Sequence, residues 1–181
     1  CGLSTRLSES LLVTPCKTRH VCGGKLLPDR FDCESIQPFI PQPFIIQNDL
    51  VIADYGKGAC DRVDEIIVNA RKSNCARIIV DPAPKTDWRR YAGAHIIKAN
   101  YIECRQACAI YGGPLINPVD MARFLSSVLD CEIVLTKDSD GIYLSNGAHI
   151  SATFNNAVDV CGAGDTVTDA IAFSMSKAAT L

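Results

Sequence analysis

The chain has 181 residues, 48% of them hydrophobic, with 18 basic residues against 20 acidic ones for a net charge of −2. That much apolar material can bury the core of one domain and excludes a disordered chain. The mixed, near-neutral charge gives no footprint for nucleic acid or an anionic membrane. No apolar run reaches the length of a membrane span and no signal-peptide pattern opens the chain, so a soluble, cytoplasmic protein acting on small polar ligands is expected.

The first 35 residues carry short extended pieces, Leu11 to Thr14, Lys17 to Val21 and Lys25 to Asp32, broken by Pro15, Gly23-Gly24 and Pro28. Polar interruptions leave them too little apolar surface for a buried core. They are expected to form a small β layer outside the central sheet that closes over a site or pairs with a second subunit as a homodimer. Residues 36–48 hold Pro38, Pro41 and Pro43 among aromatic and aliphatic residues, which reads as a connector.

From residue 49 to 181, strands alternate with helices. A strand over Leu50 to Ala53 ends at Asp54, and Val63, Ile66, Ile67 and Ala70 recur at helical spacing. Strands follow at Ala76 to Val80, ending at Asp81-Pro82, and at Ala94 to Ile97, leading to Asn100 and a helix through Ala109. Asn117-Pro118 caps a helix whose Met121, Phe124, Leu125 and Val128 form one face. A strand over Glu132 to Thr136, a hairpin through Gly141 to Leu144 with Asn146-Gly147, and a glycine turn opening a last helix complete the pattern. This alternation predicts an α/β fold with a mainly parallel sheet covered on both faces, and ligands in such sheets bind beyond the carboxyl ends of the strands. Asp54, Asp81, Asn100, Thr136 and the turn Gly162 to Asp165 all fall at that edge.

The ten cysteines include no CxxC, and the three histidines add no zinc spacing, so reduced thiols are expected. The chain begins with Cys1 rather than Met and stops at Leu181, about four turns into its last helix, which reads as a segment of a longer protein.

The most informative stretch is Cys161-Gly162-Ala163-Gly164-Asp165. Glycines let backbone N–H groups approach a ligand closely, and the helix that follows points its positive dipole end at the same place, so an anion such as a phosphate fits there. A carboxylate at that junction can take a proton from a hydroxyl attacking the phosphate. A P-loop would need Lys and Ser/Thr after its second glycine, and a dinucleotide fingerprint a third glycine; neither is present. The combination points to phosphoryl transfer to an alcohol.

Asp54-Tyr55-Gly56-Lys57-Gly58 sets a carboxylate and an ammonium around a turn suited to an anionic substrate. Asn100 and Glu103, at i and i+3, share a helix face and suit either a capping pair or a shared hydrated ion.

These motifs resemble the ribokinase-like (PfkB-type) carbohydrate kinases. Gly162, Ala163, Gly164 and Asp165 resemble their anion hole and catalytic base, and Asn100-Tyr101-Ile102-Glu103 their NxxE element, which organises magnesium, its waters and the phosphates. The loop Thr136 to Gly141 resembles their nucleotide loop, with Asp138 where glycine is common. The DYxKG turn resembles the heptose 7-phosphate kinase branch, as do Asp81-Pro82 with Lys85 to Ala94, Lys17-Thr18-Arg19, and Arg30 to Glu34. Lys85 stands two residues further from Pro82 than in that branch, Cys161 replaces a common Thr, and Ala99 a common Pro.

The resemblance implies a three-layer α/β/α ribokinase-like fold with a small β lid, truncated at both ends, and ATP and Mg2+ as cofactors. The implied reaction is phosphorylation of a sugar phosphate, D-glycero-D-manno-heptose 7-phosphate to its 1,7-bisphosphate. Thr136 and Gly141 would contact the nucleotide, and Asp54, Lys57, Lys17, Arg19, Asp81 and Lys85 the substrate. The alternatives are another sugar or nucleoside kinase of the family, or a non-catalytic fragment of one.

Overall fold

A computed structural model of the chain describes residues 16–23, 25–33, 48–73, 75–153 and 162–178. Two strands, β1 (Cys16–Cys22) and β2 (Lys25–Cys33), pair antiparallel in a two-stranded sheet of their own, with Lys17 opposite Asp32 and Arg19 opposite Arg30. The piece Leu11 to Thr14, the connector from 36 to 47 and the lead-in through Cys161 lie outside the described residues.

A six-stranded sheet follows in strictly sequential order. Its strands are β3 (Leu50–Ala53), β4 (Ile78–Asp81), β5 (Ile96–Asn100), β6 (Glu132–Lys137), β7 (Gly141–Leu144) and β8 (His149–Ile150). The first four run parallel, β7 runs antiparallel to β6, and β8 antiparallel to β7. Each parallel step needs a crossover. Helix α1 (Val63–Lys72) provides one between β3 and β4, and α2 (Tyr101–Tyr111) with α3 (Pro118–Leu129) another between β5 and β6.

Strand parity sorts the side chains into two layers. Ile52, Ile78, Val80, Ile97, Ala99, Ile133 and Leu135 point into one core against Val63, Ile67 and Ala70 of α1, Cys104 and Cys108 of α2, and Met121 and Leu125 of α3. Ile79, Ile96 and Val134 point the other way, against Ile171, Ala172 and Met175 of α4 (Ala163–Ala178). The result is a three-layer α/β/α arrangement. Each fully buried Leu or Ile contributes roughly 1.5–3 kcal/mol, so the α1–α3 layer carries most of the hydrophobic stabilisation.

The helix ends follow the sequence signals. Asn117 caps α3 by accepting from the Val119 and Asp120 N–H groups, with Pro118 in the first turn. Asn100 and Glu103 form a reciprocal capping box on α2, which ends at Gly112 with φ +74°.

Candidate active site

The carboxyl ends of β3 to β6 lie along one edge of the sheet, and α4 opens against the same edge. Gly162 has φ +77° and open space where a side chain would be, which suits a turn that exposes its backbone. Gly164, unlike Gly162, does not have a positive φ. It lies within the first turn of α4, and a Cβ there would come 2.9 Å from Lys98 Nζ, so an alanine would press on the end of that side chain.

Lys98 is a charged residue of this edge that sequence reasoning passed over. It is the one charge in the strand Ile96–Asn100, and its side chain is only 5% exposed. The register Ile79↔Ile96 and Val80↔Ile97 carries forward to set Asp81 beside it, and Lys98 Nζ donates to Asp81 Oδ2 at 2.8 Å. A buried ammonium, matched by one carboxylate, therefore underlies the glycine turn. A lone lysine in an apolar strand was the available signal, since such a charge is rarely buried unpaired.

Asp165 is exposed in the first turn of α4, where the helix dipole favours negative charge. The Tyr55 hydroxyl donates to its Oδ1 at 3.4 Å across 110 residues of sequence. That phenol is pushed above its ordinary pKa, chiefly by the Asp165 carboxylate, with burial, the hydrogen bond and Asp81 adding to it.

Asn100 Oδ1 accepts from the Glu103 N–H at 2.9 Å, and the Asn100 N–H donates to Glu103 Oε2 at 2.8 Å. Glu103 is half-buried and its carboxyl is held above the usual range, mainly by burial. Asp81 reinforces the shift, while the Asn100 N–H and Lys98 oppose it. Asn100, Glu103, Asp81 and Lys98 thus share one electrostatic neighbourhood. Thr136 pairs in register with Asn100 across β5 and β6. Gly141 opens β7 at the same edge with φ +100°, where a Cβ would strike the Ile150 carbonyl oxygen at 2.1 Å.

Other expected residues are placed elsewhere. Asp54 was expected to meet substrate, but it shares the parity of Ile52, faces the α1 layer and is 6% exposed. Its Oδ1 accepts from the Gly56 N–H and its Oδ2 from the Tyr91 hydroxyl, both at 2.8 Å, so it anchors the turn from within. Lys57 lies half-buried in that turn, and Lys85 is exposed at φ +58° after β4. Lys17 and Arg19 lie on β1, in the separate two-stranded sheet. The stretch from Asp87 to Tyr91 is structural: Asp87 caps a 3-10 turn that buries Trp88 and Tyr91.

Among the described residues, all eight cysteines are free thiols. No group of three or more His, Cys, Asp or Glu converges on a metal position there. No helix among them is long and apolar enough to cross a membrane.

No family model matches the chain. It is 30% identical over 181 residues to the bifunctional protein HldE of Gluconobacter oxydans, covering 91% of this chain and 37% of that protein. The corresponding protein of Rhodospirillum rubrum is 31% identical over 186 residues, covering 93% and 37%. The chain thus spans little more than a third of the length of these relatives. In structure it is similar to ribokinase from Thermotoga maritima, with a TM-score of 0.59 at 18% identity, covering 72% of this chain and 43% of that one. Phosphofructokinase-2 from Escherichia coli, in complex with substrates and products, gives a TM-score of 0.60 at 16% identity, covering 74% and 46%. Those structural likenesses establish a ribokinase-like fold, and in sequence the chain is a relative of the bifunctional HldE proteins over little more than a third of their length.

Proposed function

We propose that this chain is part of a kinase that transfers the terminal phosphoryl group of ATP to a hydroxyl of a sugar phosphate, with heptose 7-phosphate as acceptor and the 1,7-bisphosphate as product. The observation that carries the reading is the meeting of Asp165, the exposed Gly162 turn and the buried Lys98–Asp81 pair at the amino end of α4. The heptose acceptor is supported by the resemblance of the Asp54 to Gly58 turn and of Asp81-Pro82 with Lys85 to Ala94 to the heptose 7-phosphate kinase branch.

The residues present fit a phosphate group. The open turn at Gly162 and the first N–H groups of α4 offer donors, with the neutral Lys98–Asp81 pair beneath them. When bound, ATP would supply the phosphoryl group and magnesium would neutralise phosphate charge. Magnesium would be held through phosphate oxygens and water, with the Asn100–Glu103 pair ordering that water; this ion commonly keeps several of its waters. Thr136 and Gly141 would border the nucleotide.

Asp165 would accept the acceptor hydroxyl's proton as the oxygen attacks, and the turn would hold the phosphoryl group in line. Most of the acceleration would come from positioning and charge stabilisation. Lys57 and Lys85, with Lys17 and Arg19 from the two-stranded sheet, are assigned to the anionic end of the substrate and Asp81 to the substrate more generally, with that sheet closing over the site or pairing with a second subunit in a homodimer.

The full-length protein, given labelled ATP, magnesium and a panel of sugars and sugar phosphates, tests this. Transfer to heptose 7-phosphate is expected, with Asp165→Asn lowering kcat by about a hundredfold or more. Unchanged transfer by Asp165→Asn removes the assignment of the base, and transfer only to another sugar corrects the acceptor.

A further inference from the structure

Tyr55 is presented to the site by a buried anchor. Asp54, fixed by the Tyr91 hydroxyl at 2.8 Å, ties down the Gly56 N–H at 2.8 Å, so the residue between them projects from a pinned turn. Gly56 itself has φ +65°, which lets the chain fold back at this point. The Tyr55 side chain is 65% exposed, so burial does not hold it. Its hydroxyl nevertheless reaches across to Asp165 Oδ1.

We propose that Tyr55 is a positioning residue for Asp165, its hydroxyl occupying one carboxylate oxygen so that the other faces the acceptor hydroxyl. The proposal rests on the reading of Asp165 as the base. A carboxylate in the first turn of an exposed helix end has more than one side-chain rotamer open to it, and each misdirected rotamer removes it from the proton it must take. One donated hydrogen bond selects among those rotamers. The 3.4 Å separation is long for such a bond, and catalytic hydrogen bonds commonly tighten once substrate is bound. The upward push on the phenol from the Asp165 carboxylate is the electrostatic counterpart of the same contact.

Tyr55→Phe removes the donor and keeps the ring. In the full-length protein with labelled ATP and the acceptor sugar phosphate, it is expected to lower kcat about tenfold, with KM for both substrates within about twofold. In an Asp165→Ala background the same substitution is expected to change the residual rate by less than about twofold, because no carboxylate remains to orient. An unchanged kcat, a change confined to KM, or an equal loss in both backgrounds overturns the proposal.

A second measurement does not depend on turnover. The Tyr55 phenol is titrated by difference absorbance, subtracting the Tyr55→Phe protein. Its transition is expected to move to lower pH when Asp165 becomes Ala, with Asp81 still in place as the other carboxylate acting on it. An unmoved transition overturns the contact. An inactive full-length protein whose phenol transition does move would retain the contact and defeat the kinase reading.

Discussion

Lys98 and Asp81, on adjacent parallel strands, form an ion pair at 2.8 Å in which the lysine side chain is 5% exposed and the aspartate 22%. The asymmetry predicts which partner matters more to folding. Asp81→Ala strands a buried ammonium and is expected to cost about 3 kcal/mol or more. Lys98→Met keeps the apolar stem and leaves a carboxylate that reaches water, so it should cost less. Urea unfolding of both variants checks the order, and equal losses within about 0.5 kcal/mol would show that the pair is not partitioned as its burial suggests.

The Tyr91 hydroxyl both donates to Asp54 and accepts from the Ala83 N–H at 2.9 Å. Tyr91→Phe leaves two buried polar groups without this partner and is expected to cost about 1–3 kcal/mol. Burial above all pushes the Tyr91 phenol up from 10.0 to about 12, and the folded state therefore holds its proton where the unfolded state has lost it. Its contribution is complete below pH 10 and is lost as pH rises toward 12, at up to about 1.4 kcal/mol per pH unit. Thermal melts of the parent and Tyr91→Phe across that window check this, since the variant should show a shallower alkaline decline.

Three glycines at the site edge are expected to tolerate alanine in a fixed order. Gly141→Ala sets a Cβ 2.1 Å from a backbone oxygen at φ +100°, so the β7–β8 region must move. Gly164→Ala presses on Lys98 Nζ at 2.9 Å, the far end of a side chain already held by Asp81. Gly162→Ala meets open space and carries only the left-handed backbone penalty of about 1–2 kcal/mol. Melting temperature should fall most for Gly141→Ala, whereas Gly164→Ala should impair phosphoryl transfer out of proportion to its stability loss.

Thiol reactivity should divide by burial. Cys16, Cys22 and Cys33 are exposed on the two-stranded sheet. Burial pushes Cys60 and Cys108 up to about 11, Cys131 to about 12, and Cys104 well above its ordinary value. The thiolate is the reactive form, so alkylation near pH 8 followed by peptide mass mapping should label the first three and spare the other four until the protein is unfolded. Early labelling of Cys104 would contradict its buried position.

The sequence by itself determined the elements and their order. Val63, Ile67 and Ala70 recur at helical spacing and all three are buried, and Asn117-Pro118 starts a helix where a capping amide and a fixed φ favour one. For Asn100 with Glu103 a cap was one of the two readings the sequence offered, because that chemistry is local. The glycine turn was legible for the same reason, although the approach of Gly164 to Lys98 was not. Only the tertiary structure decided which residues meet. Strands such as Leu50–Ala53 and Ile78–Asp81 are apolar toward both layers, so their sequence carries no alternation from which to read a face. Packing against α1 then turned Asp54 inward to Tyr91, while the register of β4 and β5 brought Asp81 to Lys98. Tyr55 and Asp165, 110 residues apart, met because the ends of parallel strands share one edge. Contacts of that kind are set by crossover topology and strand register, neither of which any local run of residues encodes.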